Sequence, residues 1–527
     1  MRLGEILVAR GIVTLEGIEQ AAEHQRANGG RLGDNLIALG LLTQEQLEAV
    51  MHETPRSPKT MMGTGLSQAN ITSLILKFMY IEQLDTISKL IDRTKLPYNI
   101  VKIIVDDLVG KKYTEVLGSA SADGSQSETR YSLSSAGREM GAEAAEQNVY
   151  MGPCPVSLEQ YQEQILKQRI TNEVTDEETI KQCFEGLIIP DHFLAQIGPA
   201  INSGRTLLMY GPPGNGKTSI ATRIAEIFTH IVYVPYAVDI DGQIMQVYDS
   251  SVHIEAVDEK SRELLAAQQT KGLRKEDFDQ RWLACRRPVV IVGGELTLEM
   301  LDLSYNEDAK FYEAPMHVKA LNGTFIIDDF GRQLVTPESL LNRWIVPMES
   351  RVDYFKLTTG KSFQLPFDEF LIFSTNLEPN DLMDPAFLRR IPYKIELFEP
   401  TVEDFHRIFT IIAKHSGLEL TDDVFEYVVH QLSVKNSFHL AYYQPKFITD
   451  QVMAECKYRN IPPKFTKKRI NSALQNLYVH IEMDDPGPCE PAQPAAPQVE
   501  AQPPAPPPPA AAPEPAPAHH AAPEGHD

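Results

Sequence analysis

No stretch of this chain leaves the fold less freedom than Gly211-Pro212-Pro213-Gly214-Asn215-Gly216-Lys217-Thr218. It follows the apolar run Leu207, Leu208, Met209 and leads into the alternating stretch SIATRI. That is G-x-x-x-x-G-K-[ST] set between a strand and a helix, the context the motif requires. Glycines remove the Cβ atoms that would block inward-turned backbone N–H groups, and the helix N-terminus adds partial positive charge. The loop is therefore expected to cradle a triphosphate. Lys217 is expected to bridge the β- and γ-phosphates, and the Thr218 hydroxyl to ligate Mg²⁺.

Three further elements follow in order. At Phe325-Ile326-Ile327-Asp328-Asp329-Phe330 an apolar strand ends in two carboxylates. Beside a phosphate loop, Asp328 is placed to hold the metal and its water shell, and Asp329 to orient an attacking water. The 110 residues from Thr218 to Asp328 exceed one strand and one helix. An insertion is expected there, carrying the polar helix VDEKSRELLAAQQ and a further strand, PVVIVGG. A third apolar strand, Phe370 to Phe373, leads to Asn376, whose neutral amide can sense a γ-phosphate and hold water without adding charge. Then, in DPAFLRRIP, Arg389 and Arg390 suit a guanidinium donated to a neighbouring subunit, where it would neutralise charge on a transferring phosphoryl group.

At 527 residues the chain exceeds one compact domain of ~100–200 residues. Lys and Arg number 49 against 72 Asp and Glu, a net charge of −23. So acidic a surface repels phosphates and excludes a general affinity for nucleic acid or anionic membrane. Five cysteines without a Cys-x-x-Cys pair argue against a disulfide framework or structural zinc, and fit a reducing compartment. The start, MRLGEILVARG, is too charged for a secretory signal, and no apolar run reaches the ~18 residues of a spanning helix. A cytoplasmic protein is expected.

Residues 1–55 contain a repeat. Arg2-Leu3-Gly4 with Gly11-Ile12-Val13-Thr14 recurs as Arg31-Leu32-Gly33 with Gly40-Leu41-Leu42-Thr43, at an offset of 29. Each copy predicts a short helix ended by Gly and a second helix capped by Thr. Residues 56–68 read as a linker. Residues 69–150 carry three amphipathic helices and a hairpin, the order of a winged helix. Its third helix bears Asp106 and Asp107 against Lys102, which favours protein docking over DNA reading. Residues 151–185 read as a connecting helical segment, 186–400 as an α/β nucleotide-binding domain, 401–482 as a helical lid, and 483–527 as a disordered Pro/Ala-rich tail. Tyr236 and Tyr248 could line a pore, but packing is the favoured reading.

With these elements in order, residues from about Gly186 to His480 resemble the AAA+ superfamily of ring-forming ATPases. The segments IIDDFGRQ, LLNRWIVPMESRVD, STNLEP and AFLRRIPYKI are similar to a bacterial AAA+ group described as ATPases with chaperone-like activity. The resemblance implies a multidomain α/β fold with a parallel sheet and a helical lid. It also implies Mg-ATP enclosed between subunits of a homo-oligomeric ring, and hydrolysis used to remodel or assemble a protein client. Two departures stand out. Asp329 replaces the family's Glu, and Lys446 of Gln444-Pro445-Lys446-Phe447 stands where a lid Arg is usual. The repeat resembles the N-terminal domain of type II secretion and type IV pilus ATPases, some of which bind cyclic di-GMP. That likeness implies Arg2 and Arg31 against the guanines, and a pilus or secretion setting. The first copy keeps that family's closing Gln as Gln25, whereas the second has Thr54. A helical docking domain with Leu3 and Leu32 in its core is the competing reading. For the whole chain, the alternatives are a slow-hydrolysing ATP-dependent assembly switch and a DNA-acting regulator.

Overall fold

The computed structural model describes residues 3–120, 128–189, 191–256 and 278–478. Arg2, the expected helix VDEKSRELLAAQQ and the tail 483–527 lie outside these residues. At the centre is a five-stranded sheet. Its strands, in spatial order, are Tyr393–Glu396, Leu207–Tyr210, Phe370–Thr375, Thr324–Ile327 and Val289–Val292. Every pairing is parallel. Parallel strands are covered on both faces, so they read as unbroken apolar runs; all six residues of FLIFST are buried. The register aligns Ile327 with Phe373 and Thr375 with Tyr210. The carboxyl ends of the three middle strands therefore lie side by side. The chain is a multidomain α/β protein, as the sequence led us to expect.

One assignment needs correcting. PVVIVGG is not part of an insertion; Val289–Val292 is the edge strand of the central sheet. The inserted material is a hairpin-like pair, Ile231–Pro235 with Trp282–Arg286, and a second five-stranded sheet. That sheet also recruits Val156–Ser157, so the segment read as a helical connector contributes an edge strand. Two residues are too few to show a period-two pattern in sequence.

Ahead of this core, four helices span Leu3–Ala9, Leu15–Asn28, Leu32–Ala38 and Gln44–Glu53. Thr14 caps the second helix, and Thr43 with Gln46 forms a capping box on the fourth. Leu3, Ile6, Leu7, Ile18, Leu32 and Val50 are buried in one cluster with Val232 and Trp282 of the insertion. Helices Gln68–Ile81, Ile87–Thr94 and Tyr98–Gly110 precede a hairpin, Thr114–Ala120 with Glu128–Leu133, and a fourth helix, Ser135–Gln147. Asp106 and Asp107 of the third helix pair with Lys102 and Lys111. After the sheet come Val402–His415, Asp422–Val429, Gln444–Arg459 and Lys467–Leu477. No described helix is long and apolar enough to cross a membrane.

Buried side-chain amides and charges collect where the strands begin. Gln168 Nε2 donates to Tyr233 O at 3.1 Å and Asn322 Oδ1 at 2.8 Å, and Asn322 Nδ2 donates to Asp368 Oδ2 at 2.8 Å. Glu369, next in the chain, is different: it is 0 % exposed and neither carboxylate oxygen has a hydrogen-bond partner. Burial pushes its pKa well above the usual carboxylate value, with Asp353 and Asp368 adding to the shift and Arg351 and Arg343 opposing it. A carboxyl whose folded pKa is raised contributes its stability below the unfolded pKa and loses it as pH rises towards the folded one. Glu369→Gln is therefore expected to be more stable than the unmodified chain near neutral pH by about 1–3 kcal/mol, the scale of an unpaired buried polar group. The gap should shrink towards pH 4, below the ordinary Glu pKa of about 4.3. Thermal denaturation across that range checks this; equal midpoints at every pH would refute it.

Candidate functional site

The phosphate loop leaves the strand Leu207–Tyr210 at Gly211 (φ +135°), where a Cβ would stand 2.3 Å from Leu397 O. At Gly214 (φ +81°) a Cβ would stand 2.3 Å from Cδ1 of Tyr443. Only glycine combines these conformations with such close approach. Pro212 and Pro213 stiffen the turn between them, and Asn215 is pinned as its Nδ2 donates to Phe398 O at 3.2 Å. Gly216 then caps the helix Lys217–Glu226, whose open N–H groups face the loop. Lys217 Nζ donates to Gly211 O and Pro212 O, both at 2.8 Å. Burial lowers its pKa, while Asp328 and Asp329 act to raise it. An ammonium desolvated next to two carbonyls is well matched to a phosphate anion.

Opposite the loop, Thr218 Oγ1 donates to Asp328 Oδ2 at 2.6 Å. Asp329 has φ +47°, a left-handed conformation that Asp tolerates better than most residues. Asn376 Nδ2 donates to its Oδ1 at 2.9 Å. The two strand ends are stitched together where Phe330 N donates to Ser374 O and Thr375 Oγ1 to Phe330 O, both at 2.7 Å. Lys217, Thr218, Asp328, Asp329 and Asn376 thus converge. Among the described residues no group of three or more His, Cys, Asp or Glu side chains could hold a metal by itself. A small divalent cation here would draw on Thr218, Asp328, water and the oxygens of a ligand, which suits Mg²⁺.

The cleft above these groups encloses about 990 Å³. Its apolar walls are lined by Leu187, Ile189 and Phe193 and by Ile408 and Ile412 of the helix Val402–His415. Tyr443 and Lys446, at the first turn of Gln444–Arg459 and the residue before it, also line the cleft. Lys446 Nζ donates to Asp450 Oδ2 at 2.9 Å. Neither Arg389 nor Arg390 lines the cleft. Arg390 bonds Glu349 and donates to Ala386 O at 3.0 Å, whereas Arg389 is exposed. Arg31 stands apart, exposed at the head of Leu32–Ala38, and Arg2 lies outside the described residues. Tyr236 and Tyr248 are half-buried against each other at 5.4 Å.

Sequence reading missed Tyr443 and the apolar walls. The walls are ordinary amphipathic positions until folding brings Leu187, Ile189 and Phe193 to the cleft that Ile408 and Ile412 also line. Tyr443 had one available signal: two tyrosines directly before the lid motif QPKF.

A family model described as a domain of unknown function (DUF8689) matches residues 401–476. No curated protein matches the chain. Among solved structures, NtrX from Brucella abortus aligns at 12 % identity over 58 % of this chain and 59 % of its own, with a TM-score of 0.35. The RuvB Holliday junction branch migration motor of Thermotoga maritima aligns at 14 % identity over 62 % and 72 %, with a TM-score of 0.28. This chain therefore spans 59 % of the NtrX chain. At such overlap the functional reading rests on the residues of the cleft.

Tyr443 on Gly214 gives a direct check. Gly214→Ala is expected to cost about 1–3 kcal/mol of stability, from positive φ and overpacking together. Adding Tyr443→Ala should remove the overpacking share. Denaturant unfolding of the full chain measures both, and a Gly214→Ala chain as stable as the original would contradict this packing.

Proposed function

We propose that the chain is a Mg²⁺-dependent AAA+ ATPase that works as a homo-oligomeric ring in the cytoplasm and remodels or assembles a protein client. The observation that carries this reading is the convergence of Lys217, the Thr218–Asp328 pair and the Asp329–Asn376 pair at the foot of one cleft. The loop amides and Lys217 would hold the β- and γ-phosphates of ATP, with the adenine between the apolar walls. Mg²⁺ held at Thr218 and Asp328 would offset charge on the phosphate oxygens. Asp329 would accept the hydrogen bond of the lytic water and align it with the γ-phosphorus, and Asn376 would fix that carboxylate. Lys446 would reach the triphosphate as a point charge rather than a fork. Arg390 is already engaged by Glu349, so exposed Arg389 is the better finger for a neighbouring subunit.

One observation favours the slow-hydrolysing assembly switch as a second reading. Asp329 is a methylene shorter than Glu, and one of its oxygens is already taken by Asn376. Phosphate release separates the two readings. Continuous turnover is expected from the unmodified chain, with a loss of about 100-fold or more in Lys217→Ala, the scale of removing a preorganised charge from a phosphoryl-transfer site. Tight ATP binding without turnover above that variant would establish the switch instead. Arg389→Ala is expected to lower turnover by about 10³-fold or more, as for a lost arginine finger. Arg390→Ala should act mainly on stability.

The N-terminal repeat supports recruitment of the client, in keeping with a pilus or secretion assembly. Gating by cyclic di-GMP would use Arg31, which is exposed. Calorimetry of the full chain should register heat with cyclic di-GMP that Arg31→Ala abolishes. No heat from either chain would leave the repeat as a docking domain.

A further inference from the structure

The carboxylate of Asp329 points where it does because its backbone is held left-handed, and the source of that hold is visible. Asp328 N donates to Val292 O at 2.8 Å, the last regular rung towards the edge strand. Phe330 N donates to Ser374 O on the other neighbour. Between these rungs the chain reverses at Asp329, φ +47°, and the carbonyls of Asp328 and Asp329 leave the sheet ladder. A non-glycine residue keeps such a conformation only where its surroundings over-determine it.

Gln333 supplies much of that determination. Its Nε2 donates to Asp328 O at 3.1 Å, Asp329 O at 3.3 Å and Gly293 O at 3.4 Å. Its Oε1 accepts from Gly331 N at 2.8 Å. Arg332 N adds a second donor to Asp329 O at 3.0 Å. One side-chain amide thus gathers both displaced carbonyls, ties them to the end of the neighbouring strand, and fixes the glycine two residues after Asp329. The side chains of its loop neighbours do nothing of the kind: Arg332 is exposed and Leu334 is 86 % exposed, while Gln333 is half-buried.

We propose that Gln333 is a positioning residue for the reaction, holding Asp329 in the left-handed conformation that delivers its carboxylate to Asn376 and to the lytic water. This rests on the hydrolase reading given above. Without the amide, the Asp328 carbonyl loses its side-chain donor, the Asp329 carbonyl keeps only Arg332 N, and Asp329 relaxes to negative φ. Its carboxylate then swings away from Asn376 Nδ2.

Gln333→Met keeps length and removes all hydrogen bonding. Gln333→Glu keeps an acceptor for Gly331 N but turns a charged oxygen towards three carbonyls. Both variants of the full chain are expected to lose about 10-fold or more in kcat with the KM for ATP nearly unchanged, the pattern of an interaction lost in the transition state alone. A role limited to shaping the loop would leave Gln333→Glu close to the unmodified chain. Turnover within about twofold of the unmodified chain in both variants overturns the proposal. A crystal structure of Gln333→Met decides independently of turnover. Negative φ at Asp329 with the Asn376 contact broken is expected; a retained left-handed Asp329 bonded to Asn376 overturns the proposal. If the unmodified chain fails to exceed Lys217→Ala in turnover, the hydrolase reading falls, while that structure still shows whether Gln333 holds Asp329.

Discussion

Asn322 ties three of the five central strands together at the end remote from the cleft. Its own segment enters the strand Thr324–Ile327. Its Nδ2 donates to Asp368 Oδ2, two residues before the strand Phe370–Thr375, and its carbonyl accepts from Arg287 NH1 at 2.6 Å, two residues before Val289–Val292. The backbone there is left-handed, φ +61°, which places side chain and carbonyl on separate partners. Strands of four to six residues leave little room to accommodate a slip. A shift of one residue would turn Ile327 and Phe373 to the wrong faces. The alignment of Asp328, Asp329 and Asn376 is thus fixed from the opposite ends of these strands, by buried polar groups that are costly to leave unpaired.

The same cluster reaches outward. Gln168 meets both the N–H and the carbonyl of Tyr233, as a neighbouring strand would. Gln164 connects Gln168 to the carbonyl of Glu53 at the end of the fourth N-terminal helix. Thr54 bonds the Tyr233 hydroxyl at 3.0 Å. The repeat therefore joins the inserted strands through directional bonds as well as through apolar contact, and its orientation is specified more tightly than an apolar face alone would allow.

How much of this was legible in the sequence follows from the range of each interaction. The phosphate loop is local: glycines, Lys217 and Thr218 lie within eight residues and carry their own chemistry. Asp328 and Asn376 were legible because buried parallel strands are continuous apolar runs, and the polar residue ending such a run stands out. PVVIVGG was just as visible as a strand, yet its place was misjudged, because spacing along the chain does not say which sheet a strand joins. Gln164, Gln168 and Asn322 carried no signal, since amides in a helix or a turn are ordinarily solvated and only the fold buries these. Gln333 sits in a polar loop beside Arg332, where composition points to solvent. Residues 156–157 were too short to register.

Strain and support are arranged unequally around the cleft. The sheet side is overdetermined: Asp329 is held by Asn376 through its side chain and by Gln333 and Arg332 through its backbone. The side formed by the helices after residue 401 contributes Tyr443 and Lys446. Tyr443 lies against Gly214 by ring contact, and Lys446 donates to Asp450 on its own helix. A ligand between them would exchange that exposed pair, worth little in water, for contacts made in a partly buried cleft. Ile408 and Ile412 lie on the helix Val402–His415, whereas Leu187 and Ile189 precede the strand Leu207–Tyr210. A molecule filling the cleft would therefore touch both segments. Asp329 and Asn376 are thus bonded to the ends of the sheet strands, and among the described hydrogen bonds none links either of them to the helices after residue 401.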